Sequence, residues 1–392
     1  MKKDEKKIWL LSDSSLANDI GSEMIAPVLP FYIINLGGGG AAIGLVSGLR
    51  EGLASIFRFI GGIGSDYIGK RKIFVTIGYF LSCFFRFLLG MAGSWQQIIT
   101  LVSLERVGKM RDAPRDVMII ESTEKRGRGF ARNEMMDIFG GVIGTILVIL
   151  LFTQLKISFF SLIIIAAAIS SLSLIPLIFV TDNKSKPKRT NPIKNIKALD
   201  KSIKYFIFVA AIFTLANFGL YMFIMLLVEQ HSGSQTLAMI FLLIFNLTYA
   251  FSTTKFGKLS DKIGRKPILL IGYILFFTIS FALIFITNLF LLAIIFSVYG
   301  LSLAITRPLQ RAYISDHTEK TKGTAFGFYY LITGLANVIG GLVAGILWDI
   351  NPQTMFTYIS IVAFISLILL TLIKNNETPP ETKSIALPIN HH

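Results

Sequence analysis

The chain has 392 residues, of which 53% are hydrophobic and only 16% are charged, and its formal net charge is +15. So few charged residues cannot cover a water-soluble globule, so the composition predicts an integral membrane protein. The positive charge does not indicate a nucleic-acid partner, because the lysines punctuate apolar runs and form no solvated basic face with interleaved aromatic residues.

Apolar stretches divide the chain into about twelve predicted membrane-spanning helices. A bilayer core of about 30 Å needs about 20 apolar residues per helix. The predicted spans are residues 8–35, 41–65, 72–93, 97–121, 128–153, 157–181, 204–229, 236–258, 267–287, 289–314, 324–348 and 353–374. The sequence therefore predicts an all-α membrane protein.

The longest connection is rich in Lys and Pro and separates two sets of six spans. It divides the chain into a six-helix bundle over 1–182, a linker over 183–202, a second six-helix bundle over 203–376 and a tail over 377–392. Lys and Arg are concentrated in this linker and in alternate loops, and the opposite loops carry almost none. Because positive loops stay in the cytoplasm, we expect a multi-pass plasma (inner) membrane protein with both termini cytoplasmic.

A repeated motif supports two related halves. The segments Gly62 to Arg71 and Gly257 to Lys266 both read G-x-x-x-D-x-x-G followed by two basic residues, after the second span of each half. A second matching pair, Arg126 to Ala131 and Lys322 to Gly327, opens the fifth and eleventh spans. Two matches in equivalent places favour duplication of a six-helix unit.

Charged side chains occur at similar depth in separate predicted spans. At about 1.5 Å of rise per residue, the first, second and fourth spans all carry charges near their middles. Because a charge at the bilayer centre costs roughly 2.5–3.5 kcal/mol on insertion scales, we expect these groups to face one wet cavity. Helical spacing assigns to this proton-coupling and substrate site Asp19, Glu23, Arg50, Glu51, Arg58, Glu105, Arg106, Lys109, Asp112 and Asp137.

The second half offers neutral polar groups at its own middle. The predicted substrate contacts there are Asn217, Tyr221, Asn246 and Asn337. Arg307 and Arg311 lie toward the cytoplasmic end of the tenth span. We therefore expect ionisable chemistry in the first half and neutral contacts in the second.

The carboxylates of the first half are candidates for a site that takes up and releases protons. Burial raises the pKa of a carboxyl group and a nearby cation lowers it, so a change of ion pairing loads or releases a proton. The candidate acids are Asp19, Glu23 and Glu51. The balancing cations are Arg50, Arg106 and Lys109. The alternative is a static lattice of salt bridges that holds the helices together.

The repeated G-x-x-x-D-x-x-G segments resemble the loop motif that the major facilitator superfamily of secondary transporters carries between its second and third helices, with Tyr67 where Arg is usual. Gly140 to Gly144 is similar to that family's glycine-rich antiporter motif, with Thr145 where Pro is common. The stretch Glu105 to Asp116, together with Ser22 to Met24, resembles a drug-transporter-like prokaryotic subgroup.

This resemblance implies two pseudo-symmetric six-helix bundles, twelve transmembrane helices in all, and transport by alternating access. It also implies a gate at the repeated motif, because a short acid at a helix end can bond backbone donors and pair with a basic residue. The implied gating residues are Gly62, Asp66, Gly69, Arg71, Gly257, Asp261, Gly264 and Arg265. An ordinary glycine-rich turn is the alternative.

The first functional expectation is a monomeric, non-enzymatic transporter that exports a small organic solute in exchange for protons. An alternative is proton-coupled uptake of an anionic solute such as an organic acid or metal chelate, received by Arg50, Arg106, Lys109 and Arg111. Further alternatives are a non-transporting membrane receptor and a carrier of metal ions that binds them through Asp19, Glu23 and Glu51. The sequence has no Walker loop, dinucleotide fingerprint or zinc-ligand spacing, so we expect no cofactor and no bound metal. The expected energy source is a proton gradient.

Overall fold

The structure is a computed structural model that describes residues 3–122, 126–182, 196–197, 199–286, 288–318 and 322–373. Most of the predicted linker and the whole predicted tail over 377–392 lie outside the described residues, as do the side chains of Arg126 to Ala131. The described residues form helices and connections without any strand.

The first half is built from helices that mostly follow the predicted spans. They are α1 (Lys3–Ile25), α2 (Leu29–Asn35), α3 (Gly40–Ile68), α4 (Arg71–Gly90), α5 (Trp95–Val107), α6 (Asp112–Glu121), α7 (Arg126–Thr153), α8 (Phe159–Ser171) and α9 (Leu174–Ile178). A 3-10 turn over Gly108–Arg111 joins α5 to α6.

The second half follows the same plan. Its helices are α10 (Lys201–Ala216), α11 (Tyr221–Ser232), α12 (Gln235–Ile263), α13 (Arg265–Ala282), α14 (Leu289–Asp316), α15 (Lys322–Ile350) and α16 (Pro352–Thr371). Helix α10 begins inside the segment that the sequence assigns to the linker.

Within the described residues, ten helical segments are long and apolar enough to cross a membrane. They correspond to the predicted second, third and fifth to twelfth spans. The first predicted span is α1 with α2, and the fourth is α5 with α6; both are helical but carry several charged side chains. The first and fourth spans are thus the two that are less apolar than the others, and both contribute residues to the predicted site.

Four predicted spans, the first, fourth, sixth and seventh, are interrupted helices instead of continuous ones. The first breaks at residues 26–28, which include Pro27, and proline lacks the backbone donor that would continue the helix. The seventh breaks between α10 and α11, where Gly219 has a φ of 101°. Residues with a Cβ atom rarely adopt this value. A Cβ at Gly219 would also lie 2.2 Å from Ser47 Oγ. Ser47 Oγ donates to the carbonyl groups of Phe218 and Gly219, at 3.0 and 3.1 Å, so α3 holds this break in place.

The two halves touch along α3 and α15 by close glycine contacts, which we call the glycine seam. A Cβ added to Gly44 would lie 2.0 Å from the carbonyl oxygen of Gly341, and one added to Gly341 would lie 2.2 Å from that of Gly44. The same contact recurs between Gly40 and Gly345 and between Gly52 and Gly334. Small residues let helix backbones approach in this way inside membranes.

The bundle has two ends, which we define by α3. The far end is where α3 begins, and the linker end is where α3 stops at Ile68. At the far end the carboxylate of Asp349, near the end of α15, accepts from the backbone N–H groups of Gly40 and Ala41 at 2.5 and 2.8 Å. The second half thus caps the exposed donors at the start of α3, which holds the far end closed.

Candidate functional site

Arg86 is the centre of a buried ionic lattice in the first half. Its side chain is only 1% exposed, and its Nε and Nη2 donate to Glu105 Oε1 at 3.1 and 2.8 Å. The other Glu105 oxygen lies 2.7 Å from Arg106 Nε. Arg86 Nη1 also donates to Asn18 Oδ1 at 3.0 Å and to Ser170 Oγ at 2.6 Å. One guanidinium therefore joins α1, α4, α5 and α8. For Glu105 and Arg106 this geometry favours the static lattice of salt bridges over a proton-binding site.

A second cluster surrounds Asp112 at the start of α6. Arg58 Nε donates to Asp112 Oδ2 at 2.8 Å, while Lys109 Nζ and Arg111 Nε lie 3.8 and 3.7 Å from this carboxylate. The Arg111 guanidinium stacks over the Tyr79 ring, 4.4 Å from its centre. The 3-10 turn between α5 and α6 brings these cations to a single acid.

A third cluster ties α1 to α6 and α7. Asp137 accepts from Ser15 Oγ at 2.6 Å and from Asn133 Nδ2 at 3.1 Å. Arg115 donates to Ser15 Oγ at 2.6 Å and lies 3.2 Å from Asp116 and 3.9 Å from Asp137. Arg115 is absent from the predicted site. Its place next to Asp116, in a helix at the depth of the membrane, could have indicated it.

Glu23 differs from these acids because it has no partner. Among the described residues no hydrogen-bond donor or cation lies in bonding distance of its carboxylate. Helix α7 packs directly against this part of α1, since a Cβ at Gly144 would lie 2.4 Å from the Ile20 carbonyl and 3.1 Å from Glu23 Cβ. A Cβ at Gly141 would meet Glu23 Cγ at an ordinary 3.8 Å. Because these residues of α7 are glycines, the backbone of α7 packs directly against the Glu23 side chain.

Arg50 on α3 is the matching cation without an acid. It is 8% exposed, and no carboxylate of the described residues lies within 4 Å of it. A cavity of about 10 Å³, the volume that one water needs, separates it from the Arg86 lattice. Ser22, Ile25, Leu89 and Val102 complete the lining of this cavity. Tyr221 of the second half lies within electrostatic range of Arg50.

Asp19 lies one turn before Glu23 and is half-buried. Asn18 Nδ2 donates to it at 3.2 Å. A Cβ at Gly140 would lie 3.0 Å from Asp19 Cβ, so α7 also packs closely here. No group of His, Cys, Asp and Glu side chains among the described residues has the arrangement of a metal site.

Glu51 and Arg307 form an ion pair between the halves. Arg307 Nη2 on α14 lies 3.6 Å from Glu51 Oε2 on α3, and both side chains remain solvent-exposed, at 46% and 40%. They lie well inside long helices and yet are not covered by protein, so an open space remains between α3 and α14; we call this space the chamber. The second half therefore contributes a cation as well as the neutral groups expected there, because Arg307 lies beside an acid of the first half.

The four predicted contacts of the second half have separate roles. Asn217 Oδ1 accepts from the Tyr299 hydroxyl at 2.7 Å within the second half. Asn246 Nδ2 donates to Thr145 Oγ1 at 3.0 Å, which links α12 to α7. Asn337 is buried in the glycine seam, where its carbonyl would lie 2.5 Å from a Cβ at Gly48. Of the four, Tyr221 lies within electrostatic range of Arg50 and Glu23.

The repeated motif forms equivalent ion pairs in the two halves. Arg71 lies 3.6 Å from Asp66 and 2.6 Å from Glu121 at the end of α6. Arg265 lies 2.6 Å from Asp261 and 3.0 Å from Asp316 at the end of α14. Asp66 pairs with the predicted Arg71, and Asp261 pairs with Arg265, where the sequence named Lys266. Asp66 makes no hydrogen bond to a backbone donor of the described residues.

The glycines of the motif divide into two kinds. Gly69 and Gly264 follow the ends of α3 and α12 with φ values of 72° and 103°, so they supply the turn that an L side chain disfavours. Gly62 and Gly257 lie within α3 and α12 instead. Glu121 and Asp316, which sequence reasoning missed, stand at equivalent places and are recognisable only once the two halves are superposed.

Comparison with known proteins agrees with this architecture. The family model described as Major Facilitator Superfamily matches residues 14–243 and 206–389. An uncharacterized MFS-type transporter of Methanocaldococcus jannaschii is 40% identical over 377 residues, which are 94% of this chain and 95% of that protein. Multidrug resistance protein 2 of Bacillus subtilis is 29% identical over 192 residues, 47% of this chain and 46% of that protein.

Solved structures resemble the chain in fold at low sequence identity. A crystal structure of a mutant of the nucleoside transporter NupG superposes with a TM-score of 0.80 at 15% identity, covering 94% of this chain and 99% of that one. The human organic anion transporter TETRAN gives a TM-score of 0.71 at 15% identity, covering 94% and 100%. At such identity these likenesses concern the fold alone.

Proposed function

The chain belongs to the major facilitator superfamily, and from that premise we propose that it moves a small organic solute by alternating access in exchange for protons. Its family and its apolar helices make it a multi-pass membrane protein of a transporter class. Proton coupling, the solute and the direction of transport are the parts that we propose.

The observation that carries proton coupling is the unpartnered Glu23 carboxylate. Glu105 and Asp112 are held by arginines, so their charges are fixed by short ion pairs. Asp19 accepts a hydrogen bond from Asn18. Glu23 instead faces Arg50 across a distance longer than an ion pair. A small shift of α1 against α3 changes the interaction between these two groups, and with it the affinity of Glu23 for a proton.

Contacts between the halves support alternating access. The far end is closed by Asp349 and by the glycine seam, whereas Glu51 and Arg307 stay open to solvent. We propose that the linker end is cytoplasmic, so this arrangement is inward-facing. Transport then requires the Asp349 contact at the far end to open as the linker end closes.

Export is the direction that we propose. The partial likeness to Multidrug resistance protein 2, which extends over about half of each chain, supports an exporter of organic compounds. In this scheme the solute enters the chamber from the cytoplasm, and a proton from outside binds Glu23 during the return.

Reconstitution into proteoliposomes tests the coupling. With an imposed pH gradient, the wild-type protein should accumulate a solute such as a lipophilic amine or acid dye, and a pH-sensitive dye should report proton movement in the opposite direction. Glu23→Gln should lose this gradient-driven accumulation while solute exchange without a gradient persists, because the amide cannot carry a proton.

Glu229→Gln is the matched control, since Glu229 lies near the end of α11 and its side chain makes no bond to the described residues. It should couple like the wild type. Gradient-driven accumulation that is unchanged in the Glu23→Gln protein contradicts the proposal.

A further inference from the structure

The arginines of the bundle differ in whether a ligand can reach them. Arg86, Arg106 and Arg111 are buried and in contact with acids of the lattice, so they are occupied. Arg307 and Arg311 on α14 are exposed to the chamber side of the bundle. Charged side chains at membrane depth face a partner or a water-filled cavity, and they mark candidate binding sites.

The partners of this exposed pair are few. Arg307 and Arg311 are four residues apart and lie on one face of α14, where like charges repel. Glu51 is 3.6 Å from Arg307 without a hydrogen bond between them. Arg311 has no carboxylate of the described residues within 4 Å, and its Nε donates only to the Arg307 carbonyl at 3.3 Å. Among the described residues, Glu51 is therefore the one acid within 4 Å of this arginine pair, and it lies beside Arg307 alone.

Groups from both halves complete this surface. Arg58 of α3 is half-buried and lies within electrostatic range of Arg311. Tyr330 of α15 lies within electrostatic range of Arg58 and Arg311, and its hydroxyl makes no hydrogen bond to the described residues. Its ring stacks with Phe326 at 6.3 Å between centres. An arginine pair, a free hydroxyl and aromatic rings form a site suited to an organic anion.

We propose that the transported solute is an organic anion whose carboxylate binds Arg307 and Arg311 in place of Glu51. This inference rests on the proposed transport function and names its substrate class. Glu51 acts as an internal ligand that holds Arg307 while the chamber is empty. Binding of the solute breaks the ion pair between α3 and α14, which releases one contact between the halves.

The test uses the purified full-length protein and the carboxylates benzoate and glutarate as probes. Benzamide and glutaramide are the neutral isosteres, and benzylamine is the cationic one. Calorimetric binding and thermal stabilisation should detect the two carboxylates only. Arg307→Gln and Arg311→Gln should each weaken carboxylate binding at least tenfold, whereas Glu51→Gln should tighten it severalfold by removing the internal competitor.

Lys201→Gln is the control for loss of one positive charge, because Lys201 is exposed at the first residue of α10. It should bind the probes like the wild type. Carboxylates that bind equally well to the Arg307→Gln protein, or that fail to bind the wild type, overturn the inference.

Transport assays separate this inference from the proposed function. If benzylamine or benzamide drives proton movement in proteoliposomes and the carboxylates do not, the protein transports but the anion assignment is wrong. If carboxylates bind through Arg307 while no solute drives proton movement, the binding site stands and proton-coupled transport is wrong.

Discussion

Arg86 illustrates how a charge is tolerated at the depth of the membrane. Its donors are taken up by Glu105, Asn18 and Ser170, so burial leaves no unpaired group on this side chain. The sequence places Glu105 in the site but not Arg86, because Arg86 lies nearer the outer surface in its predicted span. The polar neighbours that explain it come from two other helices, α1 and α8, and no spacing rule connects them.

Replacement of Arg86 should therefore be severe. Arg86→Gln leaves the Glu105 carboxylate with Arg106 as its cation, and breaking a buried pair costs about 3–5 kcal/mol. We expect a correspondingly large fall in the midpoint of unfolding in detergent. Arg311→Gln removes an exposed arginine and should change stability by no more than about 0.5 kcal/mol. Equal stability of the two variants argues against the lattice.

Two glycines of α7 offer a matched pair for testing the α1–α7 contact. Gly144→Ala places a methyl group 2.4 Å from the Ile20 carbonyl, so α7 must move away from Glu23. Overpacking of this kind costs about 1–3 kcal/mol. Gly141→Ala meets Glu23 Cγ at 3.8 Å and should be tolerated. Thermal unfolding and gradient-driven accumulation should both fall for Gly144→Ala only; a defect of the same size in Gly141→Ala contradicts the geometry.

At the scale of helices, the break between α10 and α11 depends on a glycine. Gly219→Ala combines a positive φ with a methyl group 2.2 Å from Ser47 Oγ, whereas Gly233→Ala has a positive φ and open space around it. Strain at such a φ costs about 1–3 kcal/mol. We expect Gly219→Ala to unfold at clearly lower temperature than Gly233→Ala. Equal unfolding temperatures show that Ser47 does not hold the break.

The helices themselves were largely predictable. Runs of about 20 apolar residues and alternating positive loops are strong local signals, and ten of the predicted spans reappear as apolar helices. The breaks at Pro27 and Gly219 were less visible, because a hydropathy window averages over them. The break at Gly219 also involves contacts with another helix, the bonds from Ser47, which a single span does not reveal.

The candidate site was predictable in part for a similar reason. Charges at equal depth placed the acids of α1, α3 and α5 in one region, and the structure brings many of them into ion pairs. Depth does not determine which acid remains unpaired, so Glu23 could not be distinguished from Glu105. The sequence places Arg307 toward the cytoplasmic end of its span, and that position does not indicate the pairing with Glu51 of the other half.

At the scale of the whole molecule, Asp349 should control the far end. Asp349→Asn keeps the shape of the side chain but weakens the charge-assisted bonds to Gly40 and Ala41. Spin labels at Gln96→Cys and His231→Cys, at the far ends of the two halves, should show a shift toward longer distances in this variant. Glu229→Gln removes an acid at the same end and should leave the distances unchanged. Unaltered distances in Asp349→Asn show that other contacts close this end.

The glycine seam limits the kind of motion open to this molecule. Helices α3 and α15 meet through their peptide backbones, so pulling them apart would lose the close van der Waals contacts that hold them together inside the membrane. Rolling one helix over the other keeps more of these contacts. We therefore expect the two halves to turn about α3 and α15 as about an axle.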